Sequence, residues 1–165
     1  VDALKAGREP SLEDLTSNQT EIELRMPALL PDDFIPDVNT RLSLYKRIAS
    51  ASHEDELQEL KVEMIDRFGL LPDAARNLLE VAALRLQARE LGVRRIEASE
   101  KGGFFDFAPQ NQVDPVWLIG LLQKDHKQWK LDGPTRLRFT RDLPDRKVRM
   151  QWVQEFVRQM ADHRV

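Results

Sequence analysis

At 165 residues, with 41% hydrophobic and 32% charged side chains, the chain reads as a soluble, highly charged globular protein, long enough to bury a core. It contains no cysteine, which excludes disulfides, thiolate catalysis and cysteine-based zinc sites. The net charge of −3 hides an asymmetry: residues 1–123 hold 14 Lys and Arg against 22 Asp and Glu, whereas residues 124–158 hold 10 against 5. No apolar run approaches the ~18 residues of a membrane span, and the start lacks the basic-then-apolar pattern of a signal peptide, so a cytoplasmic location without membrane contact is expected.

Residues 1–20 carry isolated leucines among polar neighbours and read as a linker; the opening without an initiator Met fits a chain preceded by another domain. From Thr20 to Met26, Ile22, Leu24 and Met26 alternate with Glu21, Glu23 and Arg25, the pattern of a half-buried strand. Pro27, Pro31 and Pro36 impose an extended segment whose Leu29, Leu30, Phe34 and Ile35 are expected against the body of the domain. Asp37 is placed to cap a helix running to about Ala51, with Leu42, Leu44, Tyr45, Ile48 and Ala49 as its apolar positions. Ser52 with Asp55 resembles a capping box for a second helix over about 53–68.

In that second helix, Leu57, Leu60, Met64, Ile65 and Phe68 fall on one side and Asp55, Glu56, Glu59, Glu63 and Asp66 on the other. Gly69 is the expected stop. A third helix is predicted from Asp73 to Leu91, ended by Gly92. Val93–Ala98 and Phe104–Phe107 read as strands around a Gly102-Gly103 hairpin turn. Asp114-Pro115 opens a short apolar helix through Trp117, Leu118, Leu121 and Leu122. Trp129–Leu131 and Thr135–Phe139 are predicted strands flanking Gly133-Pro134. The last helix, about Pro144 to Asp162, has a stripe of Val148, Trp152, Val153, Phe156, Val157 and Met160. The expected class is α+β: a layer of three consecutive helices packed with a small, mainly antiparallel sheet, plus a long C-terminal helix, with residues 21–165 forming one domain.

Enzymatic chemistry finds little footing in these residues. Lys101-Gly102-Gly103 lacks the rest of a phosphate-binding loop. His53, His126 and His163 have no metal-ligand spacing. No Ser or Thr sits in a nucleophile-elbow context. No catalytic residue, metal or cofactor is therefore expected in this chain. The basic residues Arg136, Arg138, Arg141, Arg146, Lys147 and Arg149 suit either a solvated surface or phosphate contacts, with Arg136, Arg138 and Arg149 as the candidates for nucleic acid. The nearby Trp129, Phe139 and Trp152 are better explained as core. On pattern alone the acidic stripe of the second helix also reads as a solvated face. Asp66 argues otherwise, because the helix macrodipole disfavours a carboxylate near the C-terminus by a few tenths of a kcal/mol, a cost that Arg67 offsets in part.

Three phrases, PALLPDDFIPDVNTRLSLYKRIA, KVEMIDRFGLLPDAARNLL and LDGPTRLRF, closely resemble the C-terminal domain of the bacterial transcription-repair coupling factors, and the likeness covers essentially residues 20–165. The preceding REPSLEDLTSNQTEIEL resembles that family's connector from its translocase motor. The resemblance implies a non-catalytic, autoinhibitory interaction domain that clamps the N-terminal UvrB-like module of the same protein and masks the surface that binds UvrA until RNA polymerase is engaged. It implies a longer parent protein that translocates on DNA using ATP and magnesium in a motor outside this chain. It also implies that Glu63 and Asp66, with Glu59 on the same stripe, face basic residues of the UvrB-like module. The alternative is a nucleic-acid-binding accessory domain using the basic 136–149 region, separable by its salt dependence.

Overall fold

The computed structural model describes residues 20–165, so the expected linker, Thr20 apart, lies outside the described residues. These form ten elements: β1 (Glu21–Glu23), α1 (Val38–Ser50), α2 (Glu54–Phe68), α3 (Asp73–Leu91), β2 (Val93–Ser99), β3 (Gly102–Phe107), α4 (Pro115–Lys124), β4 (Trp129–Asp132), β5 (Arg136–Thr140) and α5 (Arg146–Asp162). The α+β class expected from the sequence is the one observed. The chain divides into two compact units, Met26–Leu86 and Thr20–Arg25 with Gln87–Val165, and the division falls within α3.

The first unit is helical. Asp37 caps α1 as expected, accepting from the Thr40 N–H at 2.9 Å and the Thr40 hydroxyl at 2.6 Å, and these bonds hold its carboxyl below the ordinary range. The proline-rich entry is fixed from below. The buried Arg41 guanidinium donates to the carbonyls of Ile35 and Pro36, and the Tyr45 hydroxyl accepts from the Leu30 N–H at 2.8 Å. Leu30 and Ile35 are buried accordingly, but Leu29 turns outward while its N–H donates to the Ala74 carbonyl.

The Ser52–Asp55 capping box expected for α2 is displaced by one residue. His53 is the N-cap and makes no side-chain cap bond; Glu56 reaches back instead to the Ser52 N–H and hydroxyl. Gly69 ends α2 in the left-handed region, its N–H on the Ile65 carbonyl at 2.9 Å. Leu57, Leu60 and Met64 join Leu44, Ile48, Leu78 and Leu79 in one core, with Ile65 and Phe68 packed at its margin. Between Leu78 and Ala88, α3 buries residues on nearly every side, the pattern of a helix surrounded by protein.

The second unit holds a five-stranded sheet in the order β1-β2-β3-β5-β4, antiparallel except for the parallel β1–β2 pair. The glycines expected in the hairpin turn lie within β3 instead: Gly102 pairs with Ser99 and Thr140, and Gly103 with Ala98 and Phe139. Behind the sheet, Phe105, Phe139, Trp129, Trp152 and Phe156 stack at centroid distances of 4.5–6.5 Å, which assigns these aromatics to the core as the spacing suggested. The helix α5 starts two residues into the predicted range, capped by Asp145 through the N–H groups of Lys147 and Val148. Its buried face runs through Arg149, Met150, Val153, Phe156, Val157 and Met160. Val148, expected in that stripe, is half exposed, because five residues of helix turn it ~140° away from Val153, near the centre of this face.

Candidate functional site

The acidic stripe of α2 is built by spacing. Glu59, Val62, Glu63 and Asp66 recur at intervals of three and four residues, so all four share one side of the helix, opposite the buried Leu57, Leu60 and Met64. The three carboxylates nevertheless have different surroundings. Glu63 is held in a fork: Arg47 of α1 donates through its two terminal nitrogens to the two carboxylate oxygens at 2.7 and 2.9 Å, and Arg67 adds a third bond at 3.2 Å. The hydrogen bonds from Arg47, helped by those from Arg67, pull the Glu63 carboxyl from its ordinary 4.5 down to about 2. Asp66 and Glu59 are exposed and make no hydrogen bond or ion pair with any described residue. Arg67, placed to offset the charge of Asp66, turns instead to Glu63 and lies 4.8 Å over the Phe68 ring. Val62 between them is 51% exposed, and Leu70, just past Gly69, is 88% exposed.

The depressed Glu63 group fixes the sign of a pH effect. Its ion pairs stabilise the fold fully above the unfolded value of 4.5, and that contribution is lost as the pH falls through about 2. The urea midpoint of the native chain should therefore fall more between about pH 5 and pH 2 than that of Glu63→Gln, which cannot titrate there. Parallel curves for the two proteins would show that the Arg47–Glu63 fork does not persist in solution. Because the pair is at the surface, the difference is small and shrinks in salt.

Every resolved carboxylate shift among the described residues is downward, at Asp37, Glu63, Asp132 and Glu155, and an ion-pair or hydrogen-bond donor is the first cause in each case. Groups held ionised in this way are poor proton donors near neutrality. The described residues also contain no group of three or more His, Cys, Asp or Glu arranged to hold a metal ion, and no helix long and apolar enough to cross a membrane.

Arg136 and Arg138, two apart in β5, share one face of the sheet, and Arg149 does not join them. Arg136 lies over the Phe104 ring at 3.9 Å and within 3.8 Å of Asp106. Arg138 pairs with Asp132, whose carboxyl it lowers, and lines a shallow groove of about 320 Å³ together with Arg25, Lys101 and Thr140. Arg149 must be withdrawn as a nucleic-acid contact. It is 2% exposed, and its guanidinium donates to the carbonyls of Leu143 at 2.9 and 3.0 Å, Leu24 at 2.8 Å, Arg25 at 3.2 Å and Pro144. A phosphate cannot reach a group enclosed by backbone. Sequence reasoning also missed Arg47. Its one signal is its place near the end of a helix beside an acidic one, which does not by itself name Glu63.

Comparison with known proteins agrees with the fold. Residues 24–118 match the model of the TRCF domain. The chain is 67% identical over 165 residues to the transcription-repair-coupling factor of Escherichia coli (strain K12), covering all of this chain and 14% of that protein. It is 55% identical over 161 residues to the transcription-repair-coupling factor of Haemophilus influenzae, covering 98% of this chain and 14% of the relative. A solved structure described as the C-terminal domain of transcription-repair coupling factor superposes with a TM-score of 0.73 at 23% identity, covering 87% of this chain and 92% of that one, which is a likeness of fold. The chain belongs to the TRCF domain family. It spans about one seventh of the length of these two curated relatives.

Proposed function

We propose that this chain is the autoinhibitory interaction domain of a transcription-repair coupling factor, and that the α2 stripe is its latch. In this reading the stripe docks on basic residues of the N-terminal UvrB-like module of the same protein and masks the surface that binds UvrA until RNA polymerase is engaged. The domain carries no catalytic group of its own and acts in the cytoplasm. DNA translocation, with its ATP and magnesium, belongs to the motor of the longer protein.

The observation that carries the reading is the pair Asp66 and Glu59, exposed and without a partner among the described residues, with the exposed Val62 on the same face. Asp66 also stands where the macrodipole disfavours it, so helix stability does not account for it. Glu63, already bonded to Arg47 and Arg67, contributes a positioned rather than a free charge. Rim ion pairs of this kind are worth about 0.2–1 kcal/mol each, and tethering within one chain supplies an effective concentration near millimolar, so a few of them hold a latch that a competing ligand can still open.

The test places Glu59→Lys and Asp66→Lys in the full-length protein and measures UvrA binding, with circular dichroism to follow the fold. Binding should tighten by about tenfold with the fold intact, because attraction at two sites becomes repulsion. Unchanged binding with an intact spectrum would overturn the assignment of the latch to this stripe.

A further inference from the structure

The charge on the α2 face is unevenly spread. Glu59 and Asp66 stand at its two ends without a partner among the described residues. Glu63 between them accepts from Arg47 at 2.7 and 2.9 Å and from Arg67 at 3.2 Å. Both arginines remain open to solvent, with side chains 47% and 49% exposed. One carboxylate cannot neutralise two guanidiniums, so the middle of this acidic face carries an excess positive charge. The same two arginines account for the pull on the Glu63 carboxyl, down to about 2.

Arg67 is explained by its own helix. It follows Glu63 by four residues, the favourable order for such a pair, and stands in the last turn of α2, where a cation is preferred. Arg47 stands in the last turn of α1, and the same preference accounts for a cation there. It does not account for the two-pronged contact that Arg47 makes across to α2. An exposed pair of this kind adds little to the fold.

Spacing makes the middle of the face unavoidable for a partner. Glu59 and Asp66 are two turns apart, about 10 Å along the axis, and Glu63 lies between them on the same side. A partner whose cations reach both ends therefore covers Glu63. It brings those cations within about a Debye length of Arg47 and Arg67, where like charges still repel.

We infer that Arg47 is a built-in competitor of the latch: it occupies Glu63 against the partner's basic residues and keeps the closed state weak enough to open. The inference rests on the reading of the α2 stripe given above and adds to it a residue of α1. Competition suits a switch, because a latch held mostly closed must still yield to a ligand of modest differential affinity. A neutral side chain in place of Arg47 leaves Glu63 with Arg67 alone, one carboxylate to one guanidinium, and removes the excess charge.

The test places Arg47→Gln in the full-length protein and measures UvrA binding, with circular dichroism following the fold. Arg47 is exposed and glutamine is a good helix former, so α1 should be retained. The latch should tighten and UvrA binding weaken by about threefold, a difference that shrinks in about 0.5 M salt. Arg67→Gln should act in the same direction and less, since Arg67 makes one bond to Glu63 where Arg47 makes two. A merely structural role for Arg47 has the opposite sign, because a loosened α1–α2 contact frees the masked surface and tightens UvrA binding. Binding that is unchanged or tighter in Arg47→Gln overturns the inference. With Glu59→Lys and Asp66→Lys also present the latch is already open, and Arg47→Gln should then change binding by less than about twofold. A full-sized weakening in that background would place the action of Arg47 outside the latch and also overturns the inference. A charge-reversed pair that leaves UvrA binding unchanged refutes the latch itself, whereas a pair that tightens binding beside an unresponsive Arg47→Gln refutes the competition alone.

Discussion

Replacing Arg149 by methionine is expected to destabilise the fold by about 3–5 kcal/mol, a fall of about 10 °C or more in melting temperature. Methionine fills similar space and keeps the helix propensity of α5, so volume and backbone effects are small. What is lost is a set of charge-assisted bonds to four carbonyls, two just before α5, from Leu143 and Pro144, and two just after β1, from Leu24 and Arg25. The stripped Leu24 and Leu143 oxygens have no water to turn to at a site where Arg149 is only 2% exposed, and each buried acceptor left unpaired costs about 1–3 kcal/mol. Arg149→Lys should recover part of the loss, since an ammonium can reach one or two of these oxygens but cannot fork among all of them. Thermal unfolding of the three proteins checks the order. A methionine variant that melts with the native chain would mean that Arg149 is not the staple between the β1 exit and α5. A DNA-binding assay on an Arg149 variant would for the same reason report on folding, so a fair test of the basic region substitutes Arg138, which is exposed.

Gly103→Ala should be nearly as damaging, at about 3 kcal/mol or more, and is best read from urea unfolding. Gly103 lies inside β3, opposite Ala98 of β2 and Phe139 of β5. A Cβ there would overlap the Glu97 carbonyl oxygen and sit 2.7 Å from the Glu97 carbonyl carbon and 2.8 Å from the Ala98 Cα. These are backbone atoms held by the ladder, so the strain cannot be relieved by turning a side chain. Moving β2 aside would break its bonds to β3 and shift Phe105, which is fully buried against Phe139 and Phe156. Gly69→Ala provides the contrast. Its φ of +96° disfavours any side chain, but nothing lies within 4 Å, so the expected cost is about 1 kcal/mol. Equal losses at the two positions would show that close backbone approach does not dominate at Gly103, whose φ lies outside the left-handed region.

Much of the architecture is written in short-range pattern. The alternation at Ile22 and Leu24, the helical spacing of Leu57, Leu60 and Met64, the Asp37 and Asp114 caps and the Gly69 stop all depend on residues within about four positions of one another, and each appears where the pattern puts it. The acidic stripe is legible for the same reason, since three- and four-residue spacing alone sets which side chains share a helix face.

The fate of each charge in that stripe is not legible, because it depends on what lies across the gap. Glu63 meets Arg47, 16 residues earlier on a different helix, while Asp66 and Glu59 meet none of the described residues. Arg149 is a similar case. Its neighbours Arg146 and Lys147 are exposed, and only the convergence of the Leu24 and Leu143 carbonyls, 119 positions apart, makes burial of a guanidinium tolerable. The glycines of β3 and the parallel pairing of β1 with β2, 74 positions apart at Glu21 and Arg95, follow the same logic. Periodicity and capping are local and can be read from neighbours. Which polar group is enclosed, which is paired and which is left facing solvent is settled by segments distant in the chain, whose approach is directed by burial of the apolar faces rather than by the charged residues themselves.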